Sequence, residues 1–470
     1  MKLLMLLTVF FVQFTDKCES SHIALSSTAI EMRQERGISI DSLDYEVSPR
    51  YLDSVRVLGA KVLHTSRWMN GATVEASHQT IATIKLCTFV DTVYLTRADE
   101  PSLAVGESSV SLRKSEVIGN KSKDFGLKAS TEQLVQLNLL PLHQAGYRGK
   151  GIRIGVADGG FYRADSLEWL PKEQWLGYTD LTDDKDGIFG STGNHGVLCL
   201  STIVGRHSDY EGAATQAEYY LFKTEEHATE SIKEIDNWVA AIEMADSLGL
   251  HIVSTSLGYT TFDDEGTNWQ YADMNGKTSR GAQAATIAAR KGMLLVVAMG
   301  NDGNKAWHYL STPADADSIL SVGAVNSQGE IATFSSYGPS ADGRVKPEVC
   351  AMGEGTSLID VNNGSVFTGN GTSFACPLIA GMAASLWSAL PEASNMEIRE
   401  MILRSADRYT QPNEQYGYGI PNAWQAYREA TTGVDAPTHT KKHHTCLDTK
   451  GQMYILYNGE KYTLLGNKIQ

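Results

Sequence analysis

Blocks of apolar residues alternate with polar segments along the middle of the chain, and they predict strands and helices in turn. Runs such as "IRIGVA", "EYYLF", "HIVST" and "MLLVVA" have the length and composition of buried strands. The stretch "EIDNWVAAIEMADSLG" predicts a helix that Gly249 ends. Its apolar residues fall at helical spacing, at Ile235, Trp238, Val239, Ile242 and Ala245. Strands that alternate with helices predict an α/β fold, in which a mostly parallel sheet is covered by helices on both faces.

A smaller α+β domain is predicted over residues 21–103, before this pattern begins. "ATVEAS" and "FVDTVYLTR" have the alternation of strands, and "HQTIATIKL" between them predicts a short helix. Residues 104–129 are polar, rich in serine and aperiodic, which predicts a linker that is open to proteolysis. The α/β domain then covers residues 130–432.

The C-terminal tail, residues 433–470, begins as a second polar linker. Asn458-Gly459 stands between alternating apolar residues near its end, which predicts a β-hairpin. A secretion or surface-sorting element and a small β appendage both remain open as interpretations of this tail.

The first residues carry one lysine and then the apolar run "LLMLLTVFFV". That run is too short to span a bilayer, and it predicts a signal peptide over residues 1–20. A lipid anchor on Cys18 is disfavoured, because Thr15 and Lys17 stand where such a motif has an aliphatic and a small residue. No later segment is apolar enough to predict a stable membrane span. We therefore expect a secreted or cell-surface protein.

Composition narrows the functional classes. The 470 residues include 42% hydrophobic ones, which fits a globular protein with a large core. A net charge of −15 argues against nucleic acid as a partner. The six cysteines are too sparse for a disulfide framework and match no zinc pattern. Cys199 and Cys376 lie in apolar helical runs, where a thiol usually behaves as a small buried hydrophobe.

Four polar residues stand where chemistry gathers in such a fold, just after strands or at the start of helices. Asp158 ends "IRIGVA", and Asn301 follows "MLLVVAMG". His195 opens the helical run "HGVLCLSTIVG", and Ser373 lies in "GNGTSFACPLIAG". Each alone has an ordinary structural explanation as a turn, a cap or a structural histidine. Together they supply the carboxylate, imidazole, amide and hydroxyl that nucleophilic catalysis needs.

Two of these segments carry more specific expectations. The dipole of a helix disfavours a cation at its N-terminus, so the sequence predicts that the pKa of His195 lies near neutrality. The plain alternative for the serine segment is a loop that enters a buried helix. In that interpretation Thr372 or Ser373 is the N-cap, and Pro377 lies in the first turn.

The four segments resemble the motifs of the subtilisin-like serine proteases, the subtilases. "GVADGGF" is similar to the family's Asp motif, and "GNHGVLCLSTIVG" to its His motif. "VVAMGNDG" is similar to the motif of the oxyanion asparagine, and "GNGTSFACPLIAG" to the Ser motif. The resemblance covers about residues 130 to 430. Val197, Leu198 and Tyr259 depart from the family's pattern without removing a reacting group, and Tyr259 is expected to narrow or reshape the substrate cleft.

The resemblance implies a secreted serine endopeptidase that acts through an acyl-enzyme. Ser373 would attack the peptide carbonyl, His195 would act as the base, Asp158 would orient the imidazole, and Asn301 would donate to the oxyanion. The substrates would be proteins or peptides. Residues 21–103 would be a propeptide that acts as chaperone and inhibitor and is removed by self-cleavage, so that the protein is made as a zymogen.

By the same resemblance, the substrate would lie along Ser256-Leu257-Gly258. The pocket for the side chain before the scissile bond would lie between that segment and Ala298-Met299-Gly300. Neither segment is charged, which indicates an apolar or broad preference. Calcium is possible by family resemblance, but "DLTDDKDG" at residues 180–187 is too loose to assign ligands. No metal ligand and no cofactor is therefore identified.

Other classes of protein remain as alternatives. Acid-active peptidases with a Glu base and an Asp oxyanion donor are one, and His195 and Asn301 argue against them. A catalytically silent binding protein is another, and it would be expected to lack a member of the triad. For residues 21–103, an ordinary accessory domain is the alternative to a propeptide.

Overall fold

A computed structural model of the chain describes residues 8–18, 20–97, 129–191 and 193–432, and three short strands between residues 444 and 462. Contacts between residues divide the chain into two units, residues 1–426 and residues 427–470. The larger unit contains both the small N-terminal domain and the α/β domain.

The small domain is a four-stranded antiparallel sheet with helices packed on it. Its strands stand in the order β2-β3-β1-β4. In chain order its elements are β1 (Thr8–Phe14), α1 (Ser27–Glu35), α2 (Pro49–Val57), β2 (Lys61–Ser66), β3 (Gly71–Ala76), α3 (His78–Ile84) and β4 (Val90–Arg97). The predicted strands in "ATVEAS" and "FVDTVYLTR" and the helix between them are confirmed as β3, β4 and α3.

Strand β1 contradicts the predicted signal peptide over residues 1–20. It pairs on one side with β3 and on the other with β4, so it lies inside the sheet. Phe10, Val12 and Phe14 pack in the core of the small domain, while Phe11 faces the core of the α/β domain. Removal of residues 1–20 would take this strand out of the sheet. A short apolar run satisfies both a signal peptide and a strand buried on two faces, and only its partners more than 50 residues later distinguish the two.

The α/β domain is built on a seven-stranded, fully parallel sheet, as the alternation of strands and helices predicts. The strand order is β13-β12-β11-β10-β5-β9-β6. Its strands are β5 (Arg153–Asp158), β6 (Trp175–Asp180), β9 (Glu218–Lys223), β10 (Ile252–Thr255), β11 (Leu294–Ala298), β12 (Leu320–Val325) and β13 (Val349–Met352). Two short antiparallel pairs stand apart from it: β7 (Arg206–His207) with β8 (Tyr210–Glu211), and β14 (Thr356–Ile359) with β15 (Val366–Gly369).

Helices cover both faces of this sheet. They are α4 (Thr131–Gln136), α5 (Leu140–Gln144), α6 (His195–Val204), α7 (Ile232–Leu248), α8 (Arg280–Arg290), α9 (Thr372–Ala389) and α10 (Asn395–Arg404). A further helix, α11 (Ala423–Thr432), follows in the chain. Helix α7 ends at Gly249, whose φ of 72° is the left-handed conformation that suits glycine. Helices α6 and α9 pack against each other, and α9 also contacts β10, β11, β12 and β13.

Helix α9 is both apolar and buried in the core of the protein. Within the described residues it is the helix that is long and apolar enough to cross a membrane, contrary to the expectation that no later segment would be. However, 89% of it is buried inside the protein. A core helix that is apolar all round is what a large α/β domain requires.

Buried charges join the small domain to helix α7. Arg33 of α1 bonds Asp246, with Nη2 2.7 Å from Oδ1, and also contacts Asp44 at 3.0 Å. Arg67, in the turn after β2, donates to the other oxygen of Asp246 at 2.7 Å. The Glu243 carboxylate accepts from the backbone N–H groups of Arg67 and Trp68, at 2.8 and 3.2 Å. These charged side chains are all nearly inaccessible to solvent, so each depends on its partner.

The tail contains a three-stranded antiparallel sheet of β16 (His444–Leu447), β17 (Met453–Tyr457) and β18 (Glu460–Tyr462). The pairing of Tyr457 with Glu460 agrees with the predicted hairpin, whose connecting Asn458-Gly459 lies outside the described residues.

The position of β1 makes the stability of the chain depend on its apolar side chains. We expect Val12→Ala to destabilise the small domain by about 2 kcal/mol, because Val12 is fully buried. Gln13→Ala on the same strand is the matched control and should change stability by less than about 0.5 kcal/mol. Thermal unfolding of the full-length chain, with Ser373→Ala added to each variant so that it stays uncleaved, measures both. Equal behaviour of the two variants would contradict the placement of this strand.

Candidate active site

The carboxylate of Asp158 and the ring of His195 meet at the carboxyl end of the parallel sheet. Asp158 is the last residue of β5, and His195 is the first residue of α6. Asp158 Oδ1 lies 2.8 Å from His195 Nδ1 and also accepts from the Gly159 N–H at 2.8 Å. Gly196 permits this approach, because a Cβ there would lie 2.6 Å from the carbonyl oxygen of Gly160.

The charge of Asp158 controls the protonation of His195. Burial alone would lower the pKa of the imidazole, but the neighbouring carboxylate raises that pKa well above its ordinary value. The helix dipole alone would lower this pKa, so the carboxylate and the dipole act in opposite directions. A full negative charge in direct contact outweighs the partial charge at a helix end.

Ser373 is the second residue of α9, and its carbonyl lacks the usual backbone hydrogen bond within that helix. The helix begins at Thr372 with Gly371 as N-cap and no side-chain cap bond. Pro377 is the sixth helical residue, not a first-turn residue, and it has no N–H to offer the carbonyl of Ser373. That carbonyl accepts instead from Ser256 Oγ at 2.8 Å and from Cys199 Sγ at 3.3 Å.

The side chain of Ser373 is almost fully buried, with 9% of the residue exposed. Its hydroxyl donates to the carbonyl oxygen of Ser256 at 3.3 Å. Ser373 and His195 line the same cleft, and the ring of Phe374 lies 5.9 Å from the His195 ring. The two side chains thus belong to one cleft, and the present partner of the Ser373 hydroxyl is the Ser256 carbonyl.

Asn301 follows β11 and is held by Thr372. Its Oδ1 accepts from the Thr372 N–H at 2.9 Å and from the Thr372 hydroxyl at 3.0 Å. The same hydroxyl accepts from the Gly300 N–H at 3.3 Å. Both bonds engage the amide oxygen, and Asn301 lines the same cleft as Ser373.

The two segments expected to bind substrate both contribute to the lining of this cleft. Ser256, Leu257 and Gly258 line it, and so do Ala298 and Gly300. The exception is Met299, which is fully buried and packs in the core instead. Ser256 has a further task, because its hydroxyl supports the Ser373 backbone.

Tyr259 does not narrow the cleft as expected. Its ring is 2% exposed and belongs to the core, and its hydroxyl donates to Glu225 Oε1 at 2.6 Å. Glu225 and Glu230 line the cleft together, so one wall is acidic. Burial, with neighbouring carboxylates adding to it, raises the pKa of Glu225 to about 7 and that of Glu230 to about 8. Lys305 also lines the cleft, and it is paired with Asp302 at 2.7 Å.

The acidic loop at residues 180–187 does not fit a calcium site. Asp184 lies 2.9 Å from the ammonium of Lys223, and Asp183 lies 2.6 Å from that of Lys233. Both lysines are buried, so these carboxylates neutralise internal cations instead of a bound metal.

Several residues of the site escape sequence reasoning because their contacts are distant in the chain. The sequence indicated Thr372 only as a candidate helix cap and Cys199 only as a buried residue of an apolar helix. Glu225 and Glu230 lie in a segment that carries no recognisable motif. The spacing of His195 and Cys199, four residues apart in a helix, was the one available signal that they share a face.

Comparisons with known proteins agree with this geometry. The model of the subtilase family, peptidase S8, matches residues 149–419, and that of the peptidase S8 propeptide domain of Bacteroidota matches residues 9–111. The chain is 28% identical over 364 residues to the minor extracellular protease Epr of Bacillus subtilis strain 168, which covers 74% of this chain and 50% of that protein. This chain therefore spans half the length of that relative.

Two further relatives match a similar share of this chain. Identity is 29% over 299 residues with a thermostable alkaline protease of Halalkalibacterium halodurans, covering 62% of this chain and 71% of the relative. It is 27% over 289 residues with subtilisin BL of Lederbergia lenta, covering 61% and 94%. A solved structure, a mutant of the protease domain of PatA, aligns with a TM-score of 0.48 and 23% identity over 62% of this chain and 99% of that one.

The contact between Asp158 and His195 predicts how the imidazole titrates. Because the carboxylate stabilises the imidazolium, His195 should remain protonated to higher pH than a free histidine. Asp158→Asn removes the charge and should lower the pKa of His195 by about 1–3 units. NMR titration of the ring signals, assigned with a His195→Gln variant, measures this shift. An unchanged pKa in Asp158→Asn would show that the carboxylate does not control the ring.

Proposed function

Because the chain belongs to the subtilase family of serine peptidases, we propose that it is an endopeptidase that hydrolyses peptide bonds through Asp158, His195 and Ser373. The observation that carries this proposal is the convergence of three elements on one cleft. The end of β5 brings the carboxylate, the start of α6 brings the imidazole bonded to it at 2.8 Å, and the start of α9 brings the hydroxyl.

The reaction begins when the Ser373 hydroxyl turns from the Ser256 carbonyl towards His195 Nε2. His195 removes the hydroxyl proton as the oxygen attacks the peptide carbonyl. Asp158, bonded to Nδ1, holds the ring and stabilises its cation. The imidazolium then protonates the leaving amine. In the second half of the reaction, His195 removes a proton from the water that attacks the acyl-enzyme, and it returns the proton to the Ser373 oxygen as the acyl group leaves.

The oxyanion formed in this attack has two donors nearby, the Asn301 amide and the Ser373 backbone N–H at the start of α9. The two bonds from Thr372 to the amide oxygen support this assignment, because they set the orientation of the amide before substrate arrives. In subtilisin, loss of the corresponding side-chain donor raises the barrier by about 3–4 kcal/mol, and membership of the same family leads us to expect a similar cost here.

The small domain acts as an inhibitor and folding helper of the same chain. Its buried contacts with α7 hold it on the α/β domain, and its last strand brings Arg97 to within 3.3 Å of Glu226, next to the acidic wall of the cleft. A parallel sheet forms slowly because its contacts are distant in sequence, which gives a folding helper a physical role.

The protein acts outside the cytoplasm, as the name of the Bacillus subtilis relative states for that protein. This part of the proposal rests on relatives and not on residues 1–20, since β1 uses that segment. Immunodetection of the mature protein in cell fractions tests it, and confinement to the cytoplasmic fraction would refute it.

The reacting hydroxyl is tested by Ser373→Ala in the full-length chain. We expect loss of peptide hydrolysis by at least about 10³-fold and accumulation of the unprocessed precursor, because removal of a triad member leaves little catalysis. Ser388→Ala, a serine of the same helix far from the cleft, is the matched control and should process and hydrolyse normally. Hydrolysis and processing that survive Ser373→Ala would refute the assignment.

The acidic wall predicts a preference that the two substrate segments alone do not. Peptides with Lys or Arg on the side of the cleft formed by Glu225 and Glu230 should be preferred over neutral ones. Because the carboxyl groups have raised pKa values of about 7 and about 8, they lose their protons as the pH rises through those values, and the preference should grow with pH.

This preference is tested by measuring kcat/KM for pairs of peptides that differ only in having Lys or Arg in place of a neutral residue. The measurements run from about pH 6 to about pH 9, because that range spans the pKa values of Glu225 and Glu230. Glu230→Gln should reduce the preference several-fold, whereas Glu265→Gln, an exposed acid outside the cleft, should not. A preference that is absent, or that falls with rising pH, would contradict the role of this wall.

A further inference from the structure

Residues 311–312 connect the two segments that are expected to bind substrate. The Ser311 N–H donates to the carbonyl of Met299 at 3.2 Å, which ties it to the segment at the end of β11. The next residue, Thr312, exchanges two backbone bonds with Tyr259, at 2.9 and 3.3 Å, which ties it to the segment after β10. The spacing between the two substrate segments is therefore fixed by backbone bonds to this connection.

The hydroxyl of Ser311 lies against a glycine of each segment. A Cβ on Gly258 would overlap Ser311 Oγ, and a Cβ on Gly300 would lie 3.3 Å from the same oxygen. Ser311 lines the cleft together with both glycines. Room that the missing glycine side chains leave at this place is thus taken up by one hydroxyl group.

This hydroxyl has a fixed position and little free space around it. Ser311 is 3% exposed, and its Oγ donates to the carbonyl oxygen of Met299 at 3.5 Å. Turning away from that carbonyl would cost a buried hydroxyl its bond. The whole cleft encloses about 100 Å³, whereas pockets that take drug-sized ligands enclose about 300–1,000 Å³.

We propose that Ser311 forms the floor of the pocket for the side chain before the scissile bond and restricts that side chain to small ones, those of Gly, Ala and Ser. This inference rests on the proposed function, which places substrate in this cleft. A Leu or Phe side chain would meet the Ser311 hydroxyl, and the segments on either side could separate only by breaking their bonds to residues 311–312. The size of the pocket, and not its lack of charge, then sets the preference at this position.

Peptides that differ only in having Ala, Leu or Phe before the scissile bond test the pocket in the mature protein. The kcat/KM of the Ala peptide should exceed that of the other two by at least about 10-fold, because one surplus methylene in such a pocket costs about 10–200-fold. Ser311→Gly should reduce this ratio by at least about 10-fold, and Ser311→Ala should reduce it less. Ser311→Val should increase it. Each ratio is taken within one variant, so a smaller folded fraction does not alter it.

An exposed serine outside the cleft provides the matched control. Ser327→Gly should leave the ratio between the Ala and the Leu or Phe peptides unchanged. Equal kcat/KM values for the three peptides in the unsubstituted chain would overturn the role of Ser311. A ratio that Ser311→Gly leaves as it is would overturn it as well.

Binding tests the same pocket without catalysis. The Ser373→Ala chain, cut by an added protease within residues 104–129, is titrated with dye-labelled forms of the three peptides, and fluorescence anisotropy gives each Kd. The Ala peptide should bind at least about 10-fold more tightly than the Phe peptide, and adding Ser311→Gly should remove the difference. This difference in a chain that hydrolyses no peptide would contradict the proposed function and keep the role of Ser311. Equal binding of the peptides, or no binding of any, would overturn that role.

Discussion

The carbonyl of Ser373 is the point on which the geometry of the cleft depends. In an uninterrupted helix it would accept the N–H of residue 377, but Pro377 has none to give. A buried carbonyl needs a partner, and here Ser256 and Cys199 supply it. These bonds tie the start of α9 to the segment after β10 and to α6, the helix that carries His195. A missing backbone bond thus fixes where the start of α9 lies relative to α6 and to the segment after β10.

The second constraint is the burial of charge. Asp158 is fully buried and acts on His195 at short range, which is why it raises the pKa of the imidazole against the effect of burial. Away from the cleft, the charged side chains that join the small domain to α7 are also buried. If the two domains separated, these charges would lose their partners and would have to be hydrated again. Buried charge thus fixes the orientation of the His195 ring and holds the small domain on the α/β domain.

The sequence predicted those features that local pattern controls. Asp158, His195, Asn301 and Ser373 could be recognised because each stands at a strand end or a helix start, and the parallel sheet brings such positions to one edge. Strand β1 was misjudged, because an apolar run of its length is explained equally well by a signal peptide until its partner strands are known. Tyr259 was expected to narrow or reshape the cleft, but its ring is buried in the core and its hydroxyl bonds Glu225, a residue of the cleft lining. The bonds from Thr372 to Asn301 and the acidic wall depend on contacts between distant segments, which no local pattern reveals.

Covalent labelling with a serine-directed fluorophosphonate tests the central claim, that His195 activates Ser373, most directly. In the mature protein we expect one adduct, located by mass spectrometry on Ser373, and its formation should be abolished in His195→Ala. An adduct on a different residue, no adduct in a processed and folded protein, or labelling of Ser373 that is as fast in His195→Ala would contradict the account.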